Sequence, residues 1–471
     1  MVNNKMRIDL LIAEIGSTTT LVNAFRGLET DRPEFVGQGL APTSVLDGDV
    51  MIGLKGAIDD LKDNLGITEL DWDEFMATSS AAGGLKMTVH GLVKDMTVKA
   101  AEEAALGAGA VIKQVTAGKL RDRRIEELLE IQPNIILLAG GVNYGEEEVI
   151  LHNASKLCEL DLDVPVIYAG NKVLQPEIKD MFKEAGKEIL IADNVYPEID
   201  TLNIEETRKL IHNVFARHIV KAPGMKKIES MLSIDMMPTP GAVMQGSKLL
   251  KEKIGNLVSL DVGGATTDVH SVTTDSGAVK EILLSPEPEA KRTVEGDLGV
   301  FLNAPHVYEM LKEELIDKGE SLEKREDLAP LPRDEKEEEY IHILAKKAAV
   351  TAVRRHAGKM KDYFGPSGRM TVAEGKDLTA VKWIVGTGGA LTRLTDGKEI
   401  LKAVRGTDKR LLLPPRDAVP LVDKDYIMAS MGVMSQKYPE AAQKLLLDSV
   451  KNEKVTEHLE EEKNKIKSKK E

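Results

Sequence analysis

Residues 258–272 read VSLDVGGATTDVHSV. The apolar ends suit two strands, but Gly263 and Gly264 between them would weaken a strand built for packing alone. A glycine has no Cβ, so the backbone can come close to a ligand. The N–H groups of such a turn point at phosphate oxygens, and Thr266 and Thr267 add hydroxyl donors. The flanking carboxylates, Asp261 and Asp268, would repel phosphate directly. They fit a hydrated Mg²⁺, which takes one or two carboxylates with waters and phosphate oxygens. The stretch therefore reads as strand, phosphate turn, strand. A plain hairpin turn accounts for one such stretch equally well.

An echo of it lies near the start. EIGSTTT at 14–20 places Glu14, Gly16, Ser17, Thr18 and Thr19 between apolar segments at 8–13 and 21–25, again a strand–turn–strand pattern. Two such turns are harder to explain as simple hairpins. Further along come PTPGAVMQG at 238–246, then VGTGGALTRL at 385–394 with Gly386, Gly388 and Gly389, then a helix rich in small residues at 425–437.

Between the two turns, apolar runs at 134–139, 164–169 and 188–193 alternate with helical patterns at 146–160 and 175–185, which predicts parallel βαβ units. Periodicity predicts helices at 49–65, 96–112, 304–318 and 335–363. After 258–272, a third strand is expected at 279–284 and a late one at 382–385. The charged, proline-bearing stretch 319–334 reads as an exposed loop. Gly83 and Gly84 read as a turn, and Gly140-Gly141 either as a ligand-facing strand end or as a helix entry. From 452 onward the chain is nearly all Lys, Glu and polar residues, a solvated helix or a disordered end.

The chain has 471 residues, room for two or three domains. With 42% hydrophobic but only 4% aromatic residues, its core must be aliphatic. Lys plus Arg number 63 against 77 Asp plus Glu, a net charge of −14, which disfavours nucleic acid as a partner. Cys158 is the only cysteine, so a disulfide or a thiolate metal cage within the chain is excluded, and it reads as a core residue of an amphipathic helix. No signal-peptide pattern opens the sequence and no apolar run approaches a membrane span. The expectation is a soluble, cytoplasmic protein.

The order of these stretches resembles the actin/Hsp70/sugar-kinase ATPase superfamily: phosphate 1 at 14–20, connect 1 at 238–246, phosphate 2 at 261–268, adenosine at 385–394, and the returning connect 2 helix. TVEGDLGV at 293–300 is similar to the glycine–aspartate loop after phosphate 2, which brings in Gly296 and Asp297. The resemblance implies a two-lobed actin-like (ribonuclease H-like) α/β fold that closes on ATP or ADP with Mg²⁺. Lobe I would span 1–246 with inserted βαβ units and lobe II 247–424. A hinge helix at 425–440 and a charged tail at 441–471 would follow. By the same resemblance Gly16 to Thr19, Gly263 to Thr267 (Ala265 included), Gly296, Asp297, Gly386, Gly388 and Gly389 would hold nucleotide. Glu14, Asp261 and Asp268 would serve the metal and the chemistry. Phosphate 1 of the superfamily usually begins with Asp; Glu14 adds a methylene, which implies slow hydrolysis or a nucleotide-driven switch.

IAEIGSTTTLVNAF, TSSAAGGLKMTVHGLV, NIILLAGG, DNVYPEIDTLNIEETRKLI, IVKAPGM, RTVEGDLGV and IVGTGGALTRL narrow the likeness. Together they resemble the glutamate-mutase accessory family, called MutL-like and unrelated to mismatch repair, over about 8–438. Members accompany adenosylcobalamin-dependent mutases. The resemblance implies an ATP-dependent reactivating chaperone that releases damaged cobalamin, with mutase subunits as partners and a homo-oligomer left open. A small-molecule kinase of the same superfamily and a non-catalytic nucleotide-binding scaffold stay as alternatives. A radical-dehydratase activator needs cluster-ligating cysteines that one Cys158 cannot supply.

Overall fold

The echo between the two glycine–threonine stretches is an echo between two whole sheets. The computed structural model describes residues 4–44, 49–80, 85–219, 225–318, 322–325, 327–329, 332–365, 368–394, 396–406, 408 and 410–468. Strands β1 (Lys5–Ile15) and β2 (Thr19–Arg26) form an antiparallel hairpin, β3 (Glu34–Pro42) pairs antiparallel with β2, and β4 (Glu69–Ser79) runs parallel to β1. The chain then builds a separate, wholly parallel sheet: β5 (Lys86–Gly91), β6 (Val111–Ala117), β7 (Ile135–Leu138), β8 (Val166–Tyr168) and β9 (Ile189–Ile191), in the order β6-β5-β7-β8-β9. It returns with β10 (Met237–Pro238), parallel to β4, so the first sheet reads β10-β4-β1-β2-β3.

The second half repeats that plan. Strands β11 (Leu257–Val262), β12 (Thr267–Val272) and β13 (Ala290–Glu295) form an antiparallel meander, and a hairpin of β14 (Lys359–Gly365) and β15 (Gly368–Glu374) stands aside. Strand β16 (Trp383–Thr387) lies parallel to β11, and β17 (Val419–Val422) parallel to β16. The order β13-β12-β11-β16-β17 matches β3-β2-β1-β4-β10 position by position, in direction as well as sequence. The doubled sheet is the two-lobed, actin-like α/β architecture.

Aliphatic side chains hold it, as the composition requires. One core lies under the first sheet and the inserted sheet, and one under the second sheet. A third lies between the lobes, where Leu10, Ile12, Val385 and Leu421 meet Ala242, Val243, Met428 and Met431. The last four sit on the helices Thr239–Ile254 and Met428–Met434, which cross between the lobes. Small residues make that crossing close: a Cβ on Gly432 would stand 1.8 Å from the Ala242 carbonyl oxygen, and one on Gly246 would stand 2.7 Å from that of Met428. Asp423 starts the second helix, its Oδ2 accepting the N–H groups of Ile427 (3.0 Å) and Met428 (2.8 Å).

Four expected elements differ. The helix expected at 96–112 is a π-turn at Lys94–Val98 and a helix at Lys99–Gly107, followed by β6, because Gly109 takes φ +89° and turns the chain. The strand expected at 279–284 is a short helix, Gly277–Lys280. The place beside β12 goes to β13, whose Arg292 finds a buried carboxylate partner there. The helix expected at 335–363 ends at His356, since Gly358 must pack on Gly375, where a Cβ would stand 2.6 Å from backbone. The helix expected at 425–437 is confined to Met428–Met434.

The tail forms a helix, Glu453–Ser468, that packs: Val455 is buried, and the His458 and Trp383 rings meet in a T-shaped contact with centroids 5.6 Å apart. Cys158 is half-buried against the inserted sheet's outer core. Gly83, Gly84 and six residues of the loop expected at 319–334 lie outside the described residues. Among the described residues no helix is long and apolar enough to cross a membrane.

Candidate functional site

Each sheet's first hairpin bends through its glycine–threonine turn, and both bends are built alike. The Gly16 N–H donates to the Thr19 carbonyl at 2.9 Å, and the Gly263 N–H donates to the Thr266 carbonyl at 2.9 Å. The N–H groups of Ser17, Thr18, Gly264 and Ala265 take no partner among the described residues. The two bends face each other: a Cβ on Gly264 would stand 3.4 Å from Thr18 Oγ1. They line one cavity of about 380 Å³ between the lobes, within the size range of small-molecule sites. Glu14, Gly16, Ser17, Thr18 and Thr19 come to it from the first lobe. Asp261, Gly263, Gly264, Ala265, Thr266, Asp268 and Gly389 come from the second.

The acidic residues sit in different environments. Glu14 is buried at the end of β1, and its Oε1 accepts the Ser430 N–H (3.0 Å) and the Ser430 hydroxyl (2.6 Å). Burial pushes its carboxyl up to about 8 against the pull of those bonds, and the charges of Asp423 and Asp261 add to the rise. Asp261 is open to the cleft but enclosed elsewhere; burial, then the neighbouring Asp268 carboxylate, push it up to about 7. Asp268 is engaged already. Its Oδ1 takes the Arg292 Nε (2.7 Å) and its Oδ2 takes the Thr266 hydroxyl (3.1 Å). Among the described residues, no three acidic, His or Cys side chains converge on one metal position.

Five of the residues named from sequence support the cavity without lining it. Thr267 turns inward and donates its hydroxyl to the Leu298 carbonyl at 2.6 Å. Gly386 is covered by Leu401, and Gly388, at φ +84°, leaves room for Asp261, whose Oδ1 a Cβ would meet at 2.3 Å. Asp297 is clasped by Arg355 and faces His306, and the Gly296 carbonyl takes the Asn303 amide at 2.9 Å. In that loop the close approach belongs to Gly299, where a Cβ would stand 2.3 Å from Ala265 backbone.

Sequence reading missed several members. Arg292 is 2% exposed and bridges Asp268 to the carbonyl of Leu106 (3.0 Å), which ties the second sheet to the helix after β5. Asp423 is buried, accepts four hydrogen bonds and is pushed up by that burial. Tyr426, at φ 51°, stands beside Glu14 and Asp261 under the Arg393 guanidinium, and burial raises its phenol well above the ordinary value. Only Asp423 left a trace in sequence, as an acid at a strand end before a small-residue helix.

The sequence matches a family model over nearly the whole chain. The profile described as MutL protein covers residues 10–450. The chain belongs to the MutL protein family. Protein MutL of Clostridium tetanomorphum is 35% identical over 459 residues, covering 93% of this chain and 98% of that protein. Among solved structures, this MutL-family chain is similar to a diol dehydratase-reactivating factor in nucleotide-free form (13% identity, 92% of this chain, 100% of that chain, TM-score 0.36). It is also similar to a glycerol dehydratase reactivase (12% identity, 89% and 99%, TM-score 0.29). These two structural likenesses carry no functional weight; the MutL assignment rests on the family profile and the MutL relative.

Proposed function

We propose that this MutL-family chain binds ATP or ADP with Mg²⁺ between its lobes and uses the nucleotide state to reactivate an adenosylcobalamin-dependent mutase, glutamate mutase or an amino acid aminomutase. The observation that carries the reading is the facing pair of turns, one from each lobe, lining a single cavity with backbone N–H groups on both sides that take no partner among the described residues. Those N–H groups suit phosphate oxygens. Asp261, which makes no ion pair among the described residues though it feels the Arg292 charge, would hold the metal side, with Glu14 behind it through water and Asp268 behind Arg292. Bound Mg²⁺ supplies charge neutralisation of the phosphates. Gly388 and Gly389 keep the backbone low where the nucleoside would lie. Glu14 is tied to Ser430, so hydrolysis is slow and the nucleotide acts chiefly as a wedge.

Lobe angle is the output. The crossing helices meet at Gly432 and Ala242, so a change in the cleft becomes a rotation of one lobe against the other. A mutase surface that binds one angle better than the other is then coupled to nucleotide state by the same free energy in both directions. Such a cycle would open the mutase and let damaged cobalamin leave.

Tagged protein with ATP or with ADP, mixed with purified glutamate mutase or an aminomutase holding inactivated cobalamin, tests the reading. Nucleotide-dependent capture and recovery of mutase activity are expected. Capture that ignores nucleotide, or no recovery with either enzyme, overturns it. Asp261→Ala should lose Mg·ATP binding while staying folded; unchanged affinity would remove the site assignment.

A further inference from the structure

One run of side chains joins the two lobes through the returning helix. Gln38, half-buried on β3, accepts from Arg393 Nη2 at 2.6 Å. Its Nε2 donates to Asn23 Oδ1 (2.8 Å) and to the Asp425 carbonyl (3.0 Å). Asn23, buried on β2, donates to Ser430 Oγ at 2.9 Å, and the Ser430 hydroxyl donates to Glu14 Oε1 at 2.6 Å.

The roles in this chain are forced. Arginine has donors only, so Gln38 turns its oxygen to Arg393 and its nitrogen to Asn23. Asn23 then shows its oxygen to Gln38 and its nitrogen to Ser430, whose proton is left for Glu14. All four bonds point the same way, from a guanidinium to the Oε1 of the Glu14 carboxyl, and each polarises the next. The two ends enter the cavity at different places: Arg393 beside Gly389 and Leu394, Glu14 beside Gly16 and Thr18.

We infer that Gln38 is a positioning residue that couples the nucleoside end of the cleft to its phosphate end; this rests on the nucleotide reading above. Arg393 is exposed, and a bond at the surface contributes little to stability by itself. A ligand that draws Arg393 to itself releases Gln38 Oε1. The amide then keeps only the Asp425 carbonyl to hold its nitrogen in place, it loses the polarisation that Arg393 supplied, and the bonds through Asn23 and Ser430 to Glu14 weaken in turn. A ligand that leaves Arg393 on Gln38 keeps Glu14 held away from the metal side.

Arg393 and Ser430 do not touch, so their effects should simply add unless Gln38 links them. The test measures Mg·ATP and Mg·tripolyphosphate affinity by calorimetry for Arg393→Met, Ser430→Ala and the double variant. The set is made in the natural chain and again with Gln38→Met or Gln38→Glu. Gln38→Glu can still meet Arg393 but cannot donate to Asn23, so it separates the relay from a simple strap. In the natural chain the Mg·ATP effects should depart from additivity by roughly fivefold, and tripolyphosphate, which lacks the nucleoside, should show none. Both Gln38 variants should restore additivity. Additive effects in the natural chain, or coupling that survives Gln38→Glu, overturn the inference while leaving nucleotide binding intact. A natural chain that binds no Mg·ATP overturns the nucleotide reading and this inference together.

Discussion

Thr18 and Gly264 meet across the cleft from opposite lobes: a Cβ on Gly264 would stand 3.3 Å from Thr18 Cγ2. The gap between the turns is therefore kept by the absence of a side chain. Gly264→Val should fill it from the cleft side, because the three atoms nearest a Cβ there belong to Phe301 and Thr18. Mg·ATP affinity should fall at least about tenfold, or about 1.4 kcal/mol, with the melting temperature within a few degrees. Calorimetry and a thermal melt check both.

Glu14 and Asp261 make the apo protein pH-sensitive. In the folded chain their carboxyls are raised to about 8 and about 7, chiefly by burial; unfolded, they return to about 4.5 and 3.8. Between these values the folded state holds protons that the unfolded state has released, so stability falls as pH rises and levels off above about 8. Metal-bound phosphate favours the ionised carboxylates, so stabilisation by Mg·ATP should grow over the same rise. The buried histidines and Lys376, all lowered by burial, add a rise of their own between pH 6.5 and 9, so melts over that range should show the apo curve descending relative to a Glu14→Gln, Asp261→Asn double variant, and the Mg·ATP increment increasing. Asp261→Asn should remove the part of the descent that levels off near pH 7, leave the part that Glu14 supplies, and remove the second effect. An apo curve parallel to that of the double variant would mean that these groups are not buried as carboxylic acids.

The helix crossing sets up a contest between two magnitudes. Alanine is favoured over glycine in a helix by about 1 kcal/mol, yet a Cβ on Gly432 would stand 1.8 Å from the Ala242 carbonyl oxygen. Backbone has to move to admit it, at a cost of roughly 1–3 kcal/mol or more. Gly432→Ala should therefore lower the urea midpoint. A raised midpoint would show that the helices do not pack backbone to backbone.

The terminal helix contributes to stability and stays out of the chemistry. Removing residues 453–471 uncovers the site of Val455 and the Trp383 ring that His458 meets. A loss of roughly 2 kcal/mol is expected from one buried valine and its surroundings. Mg·ATP affinity should remain within about twofold. A larger change in affinity would place the helix in the working parts.

The sequence by itself determined the repeated strand–turn–strand units, the alternating βαβ insert and the aliphatic core. These depend on local spacing and composition, which a chain carries wherever it folds. It also determined that both turns need glycine and hydroxyl side chains, because backbone approach is a property of the residue. The tertiary structure decided what those turns face. It paired Asp268 with Arg292 across β12 and β13, and brought Ser430 to Glu14 from 416 residues away. It also moved the strand expected at 279–284 to Ala290–Glu295. Such choices turn on which charges find partners when two sheets close on each other, and that energy exists only once distant segments have been brought together.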